Sequence, residues 1–122
     1  MNLFDASALL CFLRGEHGAD TVEQLFEQDT GSVSALNWSE VAQKVRSAGG
    51  EWTLARGLLM NVGLVVEPVT AADGERAAEL WRKGSGLSIA DRICLATGER
   101  LAATVWTADT AWGESERVRQ VR

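Results

Sequence analysis

The sequence predicts a single α/β domain, residues 1–122, with three layers in the order α/β/α around a central parallel sheet. Two observations lead to this fold class. Short apolar runs alternate with helical patterns along the chain, and the runs are continuously apolar, as parallel strands covered on both faces are. The chain has 122 residues, of which 46 % are hydrophobic, and this is enough for one domain with its own core.

Five short segments have the composition of buried strands. They are apolar, often β-branched, and bounded by polar or helix-forming residues. In chain order they are 2–4, 32–36, 64–69, 103–109 and 118–121. Because helical segments separate them, right-handed crossovers would make the strands parallel.

Six segments have the apolar spacing of amphipathic helices. They are 6–15, 19–28, 38–50, 51–63, 71–84 and 87–100. Gly15 is expected to end the first helix, because glycine readily takes the left-handed conformation found after helix ends. Side chains that can cap an N-terminus are Asn37 or Ser39 for the third helix, Thr70 for the fifth and Ser88 for the sixth.

Charge and cysteine content narrow the function classes. The net charge of −5, from 17 acidic and 12 basic residues, argues against a broad basic DNA-binding surface. Cys11 and Cys94 fall within apolar helical patterns, which indicates buried free thiols in a reducing compartment. Asp5 interrupts the first apolar stretch, so that stretch does not read as a signal peptide, and no run approaches the ~20 apolar residues of a membrane span. We therefore expect a cytoplasmic protein with no membrane contact.

Four carboxylates fall at the ends of predicted elements. Asp5 and Asp109 directly follow strands, while Glu40 and Asp91 lie in the first turns of predicted helices. If the first and fourth strands are neighbours, these groups meet at the carboxyl edge of the sheet, where α/β folds bind ligands. Unit charges ~4 Å apart repel by about 4 kcal/mol at an effective dielectric near 20, so such a cluster calls for a cation. With no His or Cys expected beside them, the oxygen ligands suit Mg²⁺ or Mn²⁺, whose usual role with carboxylates is phosphate chemistry.

Each acid taken alone also has a purely structural interpretation. Asp5 can cap the helix that follows it. Glu40 and Asp91 are favoured in first turns by the helix dipole, and Asp109 can begin a turn. The functional interpretation therefore depends on the coincidence of all four placements.

Four segments that carry these acids resemble a known family. They are LFDASALLCFL (3–13), NWSEVAQKV (37–45), LSIADRICLATGERL (87–101) and VWTADTAW (105–112). In order and spacing they are similar to the four acidic motifs of PIN domains, and most of all to those of the VapC-type toxin ribonucleases. The resemblance covers essentially the whole chain.

The resemblance implies a five-stranded parallel sheet and a metal-dependent endoribonuclease, the toxin of a type II toxin–antitoxin pair, which hydrolyses RNA phosphodiesters with Mg²⁺ or Mn²⁺. It also implies a cognate antitoxin and a homodimer. By position, it assigns catalytic and metal-binding roles to Asp5, Glu40, Asp91 and Asp109, and supporting roles to the hydroxyl residues Ser7 and Thr107.

One position departs from the family pattern. Many relatives have a further acid three residues after the fourth one, whereas this chain has Trp112 there and Glu114 off that spacing. The number of metal ions therefore stays open. Arg14 and Arg92 are candidates for contacts with RNA phosphates, with solvated surface as the alternative for each.

Two other function classes compete with the ribonuclease. A phosphoacceptor receiver-like domain is also doubly wound and acidic, but it needs paired acids after its first strand and a lysine after a late strand. Here Asp5 stands alone, and Lys44 and Lys83 both fall in predicted helices. A non-catalytic protein-binding module is the other alternative, and it would leave the repelling carboxylates without a use.

Overall fold

The computed structural model describes residues 1–122 and confirms an all-parallel five-stranded sheet with helices on both faces. The strand order is β3-β2-β1-β4-β5. The strands are β1 (Asn2–Phe4), β2 (Gly31–Ser34), β3 (Val65–Glu67), β4 (Thr104–Thr107) and β5 (Val118–Gln120). The helices are α1 (Ala6–Arg14), α2 (Ala19–Gln28), α3 (Ala35–Ser47), α4 (Trp52–Asn61), α5 (Ala71–Glu79) and α6 (Ile89–Leu101), with a short 3₁₀ helix at Thr110–Trp112.

The central strand β1 has neighbours on both sides, which makes it the point where strand order reverses. Leu3 pairs with Ser32 of β2 and with Val105 of β4. The first and fourth strands are therefore neighbours, which is the condition on which the meeting of the acids depends. Because the strands are parallel, the residues that follow β1 and β4 emerge side by side at the carboxyl edge.

Two hydrophobic clusters lie on opposite faces of the sheet, because successive strand residues point in opposite directions. Phe4 packs on one face against the buried residues of α1 and against Val33. Leu3 packs on the other face against Cys94 of α6 and Val105. These two clusters fix α1 and α6 against the central strands, and both helices begin at the carboxyl edge.

Gly98 allows α6 to lie directly on the sheet. A Cβ atom at this position would come within 2.5 Å of Val105 Cγ2, closer than real side-chain contacts allow. The helix–sheet distance therefore depends on glycine here, and with it the position of the N-terminal end of α6.

Two predicted boundaries around β2 and α3 are wrong. The strand ends at Ser34 rather than at residue 36, and Ser34 itself caps α3 by accepting a hydrogen bond from the Asn37 N–H at 3.1 Å. Neither Asn37 nor Ser39 is the cap, because the hydroxyl at the strand end already satisfies the orphan N–H. Glu40 consequently lies in the second turn of α3 and not in the first.

The other predicted element boundaries are confirmed in part. The predicted caps Thr70 and Ser88 are confirmed, each as part of a capping box, and Gly15 ends α1 with a φ of 63°. The fifth helix ends at Glu79 instead of residue 84. Strand β3 is shorter than predicted and half exposed, as an edge strand is. No helix of the protein combines the length and apolar character needed to cross a membrane.

Candidate active site

Asp5 is the most enclosed of the predicted acids. It follows β1 directly, is 4 % exposed and caps α1, its Oδ1 accepting from the Ala8 N–H at 2.9 Å. Two hydroxyls also donate to it, Ser7 Oγ to Oδ1 at 2.7 Å and Thr107 Oγ1 to Oδ2 at 2.5 Å. Burial raises the pKa of Asp5 above its ordinary value, the three hydrogen bonds oppose that shift, and the negative charge of Asp91 adds to it. The structure thus surrounds a carboxylate with donors but gives it no cationic partner.

The two hydroxyls join the loop after β1 to the loop after β4. Ser7 Oγ and Thr107 Oγ1 are 3.2 Å apart. Each hydroxyl has a single proton, and both protons are directed at Asp5, so the two oxygens act as acceptors on their other side. Ser7 Oγ accepts from the Ala108 N–H at 2.9 Å, and Thr107 Oγ1 accepts from the Asp109 N–H at 3.0 Å.

Glu40 and Asp91 are half-buried and held by short local contacts. Glu40 Oε1 accepts from Asn37 Nδ2 at 2.6 Å. Asp91 Oδ2 accepts from the Ser88 N–H at 3.0 Å within the capping box of α6. Sequence reasoning missed Asn37 as a partner of Glu40, although their separation of three residues on a helix is the spacing at which side chains meet.

The charges of three of the candidate acids act on the thiol of Cys94. This thiol is fully buried on α6. Burial raises its pKa well above the ordinary value, and the negative charges of Asp5, Asp91 and Glu40 raise it further. The thiol is therefore near enough to all three acids for their charges to raise its pKa. The high pKa keeps it protonated and unsuited to coordinating a metal.

Asp109 lies at the rim of the same edge. Its side chain is exposed and caps the 3₁₀ helix, with Oδ1 accepting from the Ala111 N–H at 2.9 Å. Gln120 on β5 holds this loop, because its Nε2 donates to the carbonyls of Asp109 and Gly113 at 3.0 and 2.9 Å. No signal in the sequence identified Gln120, whose role depends on β5 pairing with β4.

The acids do not form a closed cage. Nowhere in the protein do three or more His, Cys, Asp or Glu side chains converge closely enough to hold an ion by themselves. Magnesium in proteins is commonly bound through one or two carboxylates, with water completing its shell. The negative charge of Asp91 raises the pKa of Asp5, so these two acids are the candidates for such a pair.

The two predicted RNA-binding arginines do not pair with the candidate acids. Arg92 is half-buried, and its Nη1 donates to the Ala77 carbonyl of α5 at 2.8 Å. Arg14 is at the far end of the nine-residue helix α1 from Asp5, about 12 Å along the axis. It lines an open groove of about 360 Å³ between α1, α3 and α4. Arg14 is therefore remote from Asp5, whereas Arg92 adjoins Asp91 and has one nitrogen engaged with α5.

The position that departs from the family pattern is used for packing. Trp112 is half-buried against the Leu3 cluster. Glu114 forms an exposed ion pair with Arg119 at 3.6 Å. Neither residue adds a carboxylate beside Asp109.

Several solved structures share this fold. A toxin–antitoxin complex from Klebsiella pneumoniae matches with a TM-score of 0.78 at 20 % identity, covering 100 % of this chain and 98 % of that one. The Mycobacterium tuberculosis toxin VapC20, which cleaves the sarcin–ricin loop, matches with a TM-score of 0.73 at 20 % identity and coverages of 95 % and 98 %. VapBC2 from Rickettsia felis, bound to a DNA fragment from its promoter, matches with 0.70 at 16 % identity and coverages of 98 % and 97 %.

At these identities the similarity establishes the fold, and no curated protein matches the chain. Family membership comes from a separate comparison. The model of the PIN domain matches residues 3–117, nearly the full length. The chain belongs to the PIN domain family.

Proposed function

We propose that this protein is a metal-dependent endoribonuclease and the toxin of a type II toxin–antitoxin pair. PIN domains are typically nucleases and are generally metal-dependent. The observation that carries the proposal is the buried Asp5 carboxylate at the carboxyl edge, which accepts three hydrogen bonds and has no cationic partner. A buried charge is normally paired or bound to a metal, and here no basic side chain fills that role.

The chemistry of the donor set fits Mg²⁺ or Mn²⁺. The available ligands are carboxylate oxygens from Asp5, Asp91, Glu40 and Asp109, and hard cations prefer oxygen. Of these we assign Asp5 and Asp91 as the principal ligands, because the negative charge of Asp91 acts on the buried Asp5 carboxyl and raises its pKa. When bound, the cation would lower the pKa of water and offset the charge of a phosphodiester.

The remaining polar residues orient the carboxylates. Ser7 and Thr107 hold both oxygens of Asp5, and Oδ2, which accepts only from Thr107, keeps a free lone-pair site. Asn37 fixes Glu40, and the Ser88 N–H fixes Asp91. Rigid donors of this kind preset ligand geometry, as the outer contacts of metal sites generally do. The same negative edge would repel RNA in the absence of a cation, so binding of substrate and of metal should be coupled.

The partner surface is a separate feature of the proposal. The Klebsiella pneumoniae structure is a toxin–antitoxin complex, and we infer an antitoxin for this chain too. Leu54 and Leu58 on α4 are 73 % and 46 % exposed and line the groove that ends at Arg14. Apolar side chains of an antitoxin segment would cover them, and a cationic side chain of that segment would pair with the acidic edge. We also expect a homodimer, as the family resemblance implies.

The test is cleavage of RNA by Asp91→Asn, with Asp20→Asn as the matched control. Both aspartates lie in the first turn of a helix, but α2 carries none of the candidate acids. The amide oxygen of asparagine can still accept from Ser88, so the stability of Asp91→Asn should stay within about 1 kcal/mol of the parent.

Its cleavage of a labelled RNA should fall by roughly 100-fold or more, the loss seen when metal-site contacts are removed, while Asp20→Asn cleaves normally. Cleavage by the parent should stop in excess EDTA. Parent-like activity of Asp91→Asn, or cleavage that survives the chelator, would contradict the proposal. A chain that never cleaves RNA in Mg²⁺ or Mn²⁺ would leave the non-catalytic binding module as the better interpretation.

A further inference from the structure

The segment between α5 and α6, residues 80–88, differs from the rest of this acidic chain. We refer to it as the α5–α6 loop. It contains Arg82 and Lys83 and no acid, since the nearest acids are Glu79 before it and Asp91 after it. On a protein of net charge −5, this is a local concentration of positive charge.

The loop lies at the same end of the fold as Asp91. Helices α5 and α6 are antiparallel, because Asp73 near the start of α5 pairs with Arg100 near the end of α6. Further along α5, the Ala77 carbonyl accepts from Arg92 near the start of α6. The connection between them therefore sits at the N-terminal end of α6 and leads into its cap, Ser88.

The loop is built from defined contacts. Arg82 Nη1 donates to the carbonyls of Glu79 and Trp81 at 2.8 and 2.9 Å, which caps the end of α5. The Ser85 N–H closes a turn onto the Arg82 carbonyl at 3.2 Å. Gly84 supplies the left-handed conformation at this turn, with a φ of 76°. The backbone is thus shaped so that the side chains at 81–83 stay outside.

Trp81 is the exposed tryptophan of the chain. It is 57 % exposed, whereas the other four tryptophans are half-buried and packed against the two core clusters: Trp38, Trp52, Trp106 and Trp112. A large aromatic surface left in water beside two cations is a combination suited to nucleic acid, since bases stack on the ring and phosphates take the charge.

We propose that Trp81 is a stacking platform for an unpaired base of the RNA substrate, with Lys83 and Arg82 neutralising the adjacent phosphates. The assignment rests on the proposed ribonuclease function and names a substrate contact for the same site. It also adds Lys83 and Arg82, which are exposed, to the positive charge available for RNA at the end of the fold that carries Asp91. An RNA strand held there would run from these basic side chains toward Asp91.

The experiment measures binding of a fluorescein-labelled single-stranded RNA by anisotropy, with Ca²⁺ in place of Mg²⁺ to occupy the acidic edge, and then cleavage of the same RNA in Mg²⁺. The variants are Trp81→Ala, Trp81→Phe and, as the control, Val65→Ala, which removes another exposed apolar side chain on the edge strand β3. Stacking is worth about 1–3 kcal/mol per base, so Trp81→Ala should weaken binding by roughly 5- to 150-fold. Trp81→Phe keeps a ring and should bind within about threefold of the parent.

Lys83→Gln tests the electrostatic part. It should lower the slope of log Kd against log salt by about 0.7, the value for one phosphate contact on a single strand, and Val65→Ala should leave that slope unchanged.

The outcomes separate this inference from the proposed function. A parent that cleaves RNA, together with a Trp81→Ala variant that binds and cleaves equally well, overturns the inference alone. A parent that neither binds nor cleaves RNA overturns both. If Trp81→Ala leaves RNA binding intact but loses a co-expressed protein partner, Trp81 is a protein contact and the inference is again overturned.

Discussion

Replacing Thr107 by valine tests whether the hydroxyl network around Asp5 serves a charged carboxylate. The substitution conserves shape and removes only the polar group. Thr107 is fully buried, donates to Asp5 Oδ2 and accepts from the Asp109 N–H. The valine variant therefore lacks one hydrogen-bond donor to Asp5 and one acceptor for the loop that follows β4.

The expected loss in the free energy of unfolding follows from those contacts. A hydrogen bond to a charged group contributes about 1.5–3 kcal/mol, while the exposed Asp109 can turn to water for its lost acceptor. We expect Thr107→Val to lower the free energy of unfolding by about 2 kcal/mol at neutral pH. The hydrogen bond from Thr107 is the strongest of the contacts that lower the pKa of Asp5, so its loss should raise that pKa further.

The pH dependence follows from the direction of the shift. The pKa of Asp5 in the folded protein lies above its ordinary value of 3.8, so the folded state binds this proton more tightly than the unfolded chain does. Stability from Asp5 is therefore fully present below 3.8 and is lost as the pH rises through the folded pKa. Because valine raises the folded pKa, the penalty of Thr107→Val should grow over this range, from about 1 kcal/mol near pH 4 to its full value at pH 7.

Urea unfolding at both pH values measures this, with Thr97→Val as the matched control. Thr97 is equally buried, but it donates to the neutral Ile93 carbonyl at 2.8 Å. Its loss should cost under about 1 kcal/mol, with no change between the two pH values. A Thr107→Val penalty as insensitive to pH as that of Thr97→Val would refute the conclusion that Thr107 donates to an ionised Asp5.

Two further predictions concern the scaffold. Asp73→Ala should destabilise the protein by about 2–3 kcal/mol, because it breaks a pair with Arg100 in which Asp73 is 1 % exposed. Since the hydrogen bond from Arg100 lowers the pKa of Asp73, the difference from the parent in urea unfolding should vanish as the pH falls through that lowered pKa, and a constant difference would contradict the pairing. Gln120→Leu removes both hydrogen bonds to the loop that carries Asp109, so amide exchange in residues 109–113 should accelerate, with the thermal midpoint lowered by only a few degrees, about 1 kcal/mol. Unchanged exchange would show that the loop is held by its own turn.

The sheet was predictable because its strands are short, apolar and separated by helices. The pairing of β1 with β4 on one side and β2 on the other follows from the fold class. The boundary between β2 and α3 was not predictable in the same way. Residues 35 and 36 are apolar and continue the strand pattern, and only the contact between Ser34 Oγ and the Asn37 N–H shows that the helix has begun.

The acids of the candidate site could be predicted from the sequence, but the residues around them could not. Asp5 and Asp91 stand out because carboxylates interrupt apolar segments. By contrast, the half-buried Arg92 has a structural contact with α5 that sequence reasoning could not weigh against an RNA contact. Gln120 reaches the loop of Asp109 only because β5 pairs with β4, and Cys94 comes near Asp5 and Glu40 only because α6 packs on the sheet.

Asp91 and Asp73 show why position in a motif does not decide function. Both are the third residue of a capping box, behind Ser88 and Thr70, so local sequence treats them alike. Asp73 is enclosed with Arg100, which donates to both of its oxygens at 2.8 and 3.0 Å. The capping contact uses one oxygen of Asp91. The negative charge of Asp91 acts on another acid, Asp5, and not on a cation. An aspartate needed only for its cap would be more stable with a basic neighbour, as Asp73 is with Arg100, than with an acidic one. The charge at Asp91 without a cationic partner, and not the motif that contains it, therefore supports the proposal that a cation binds at this end of α6.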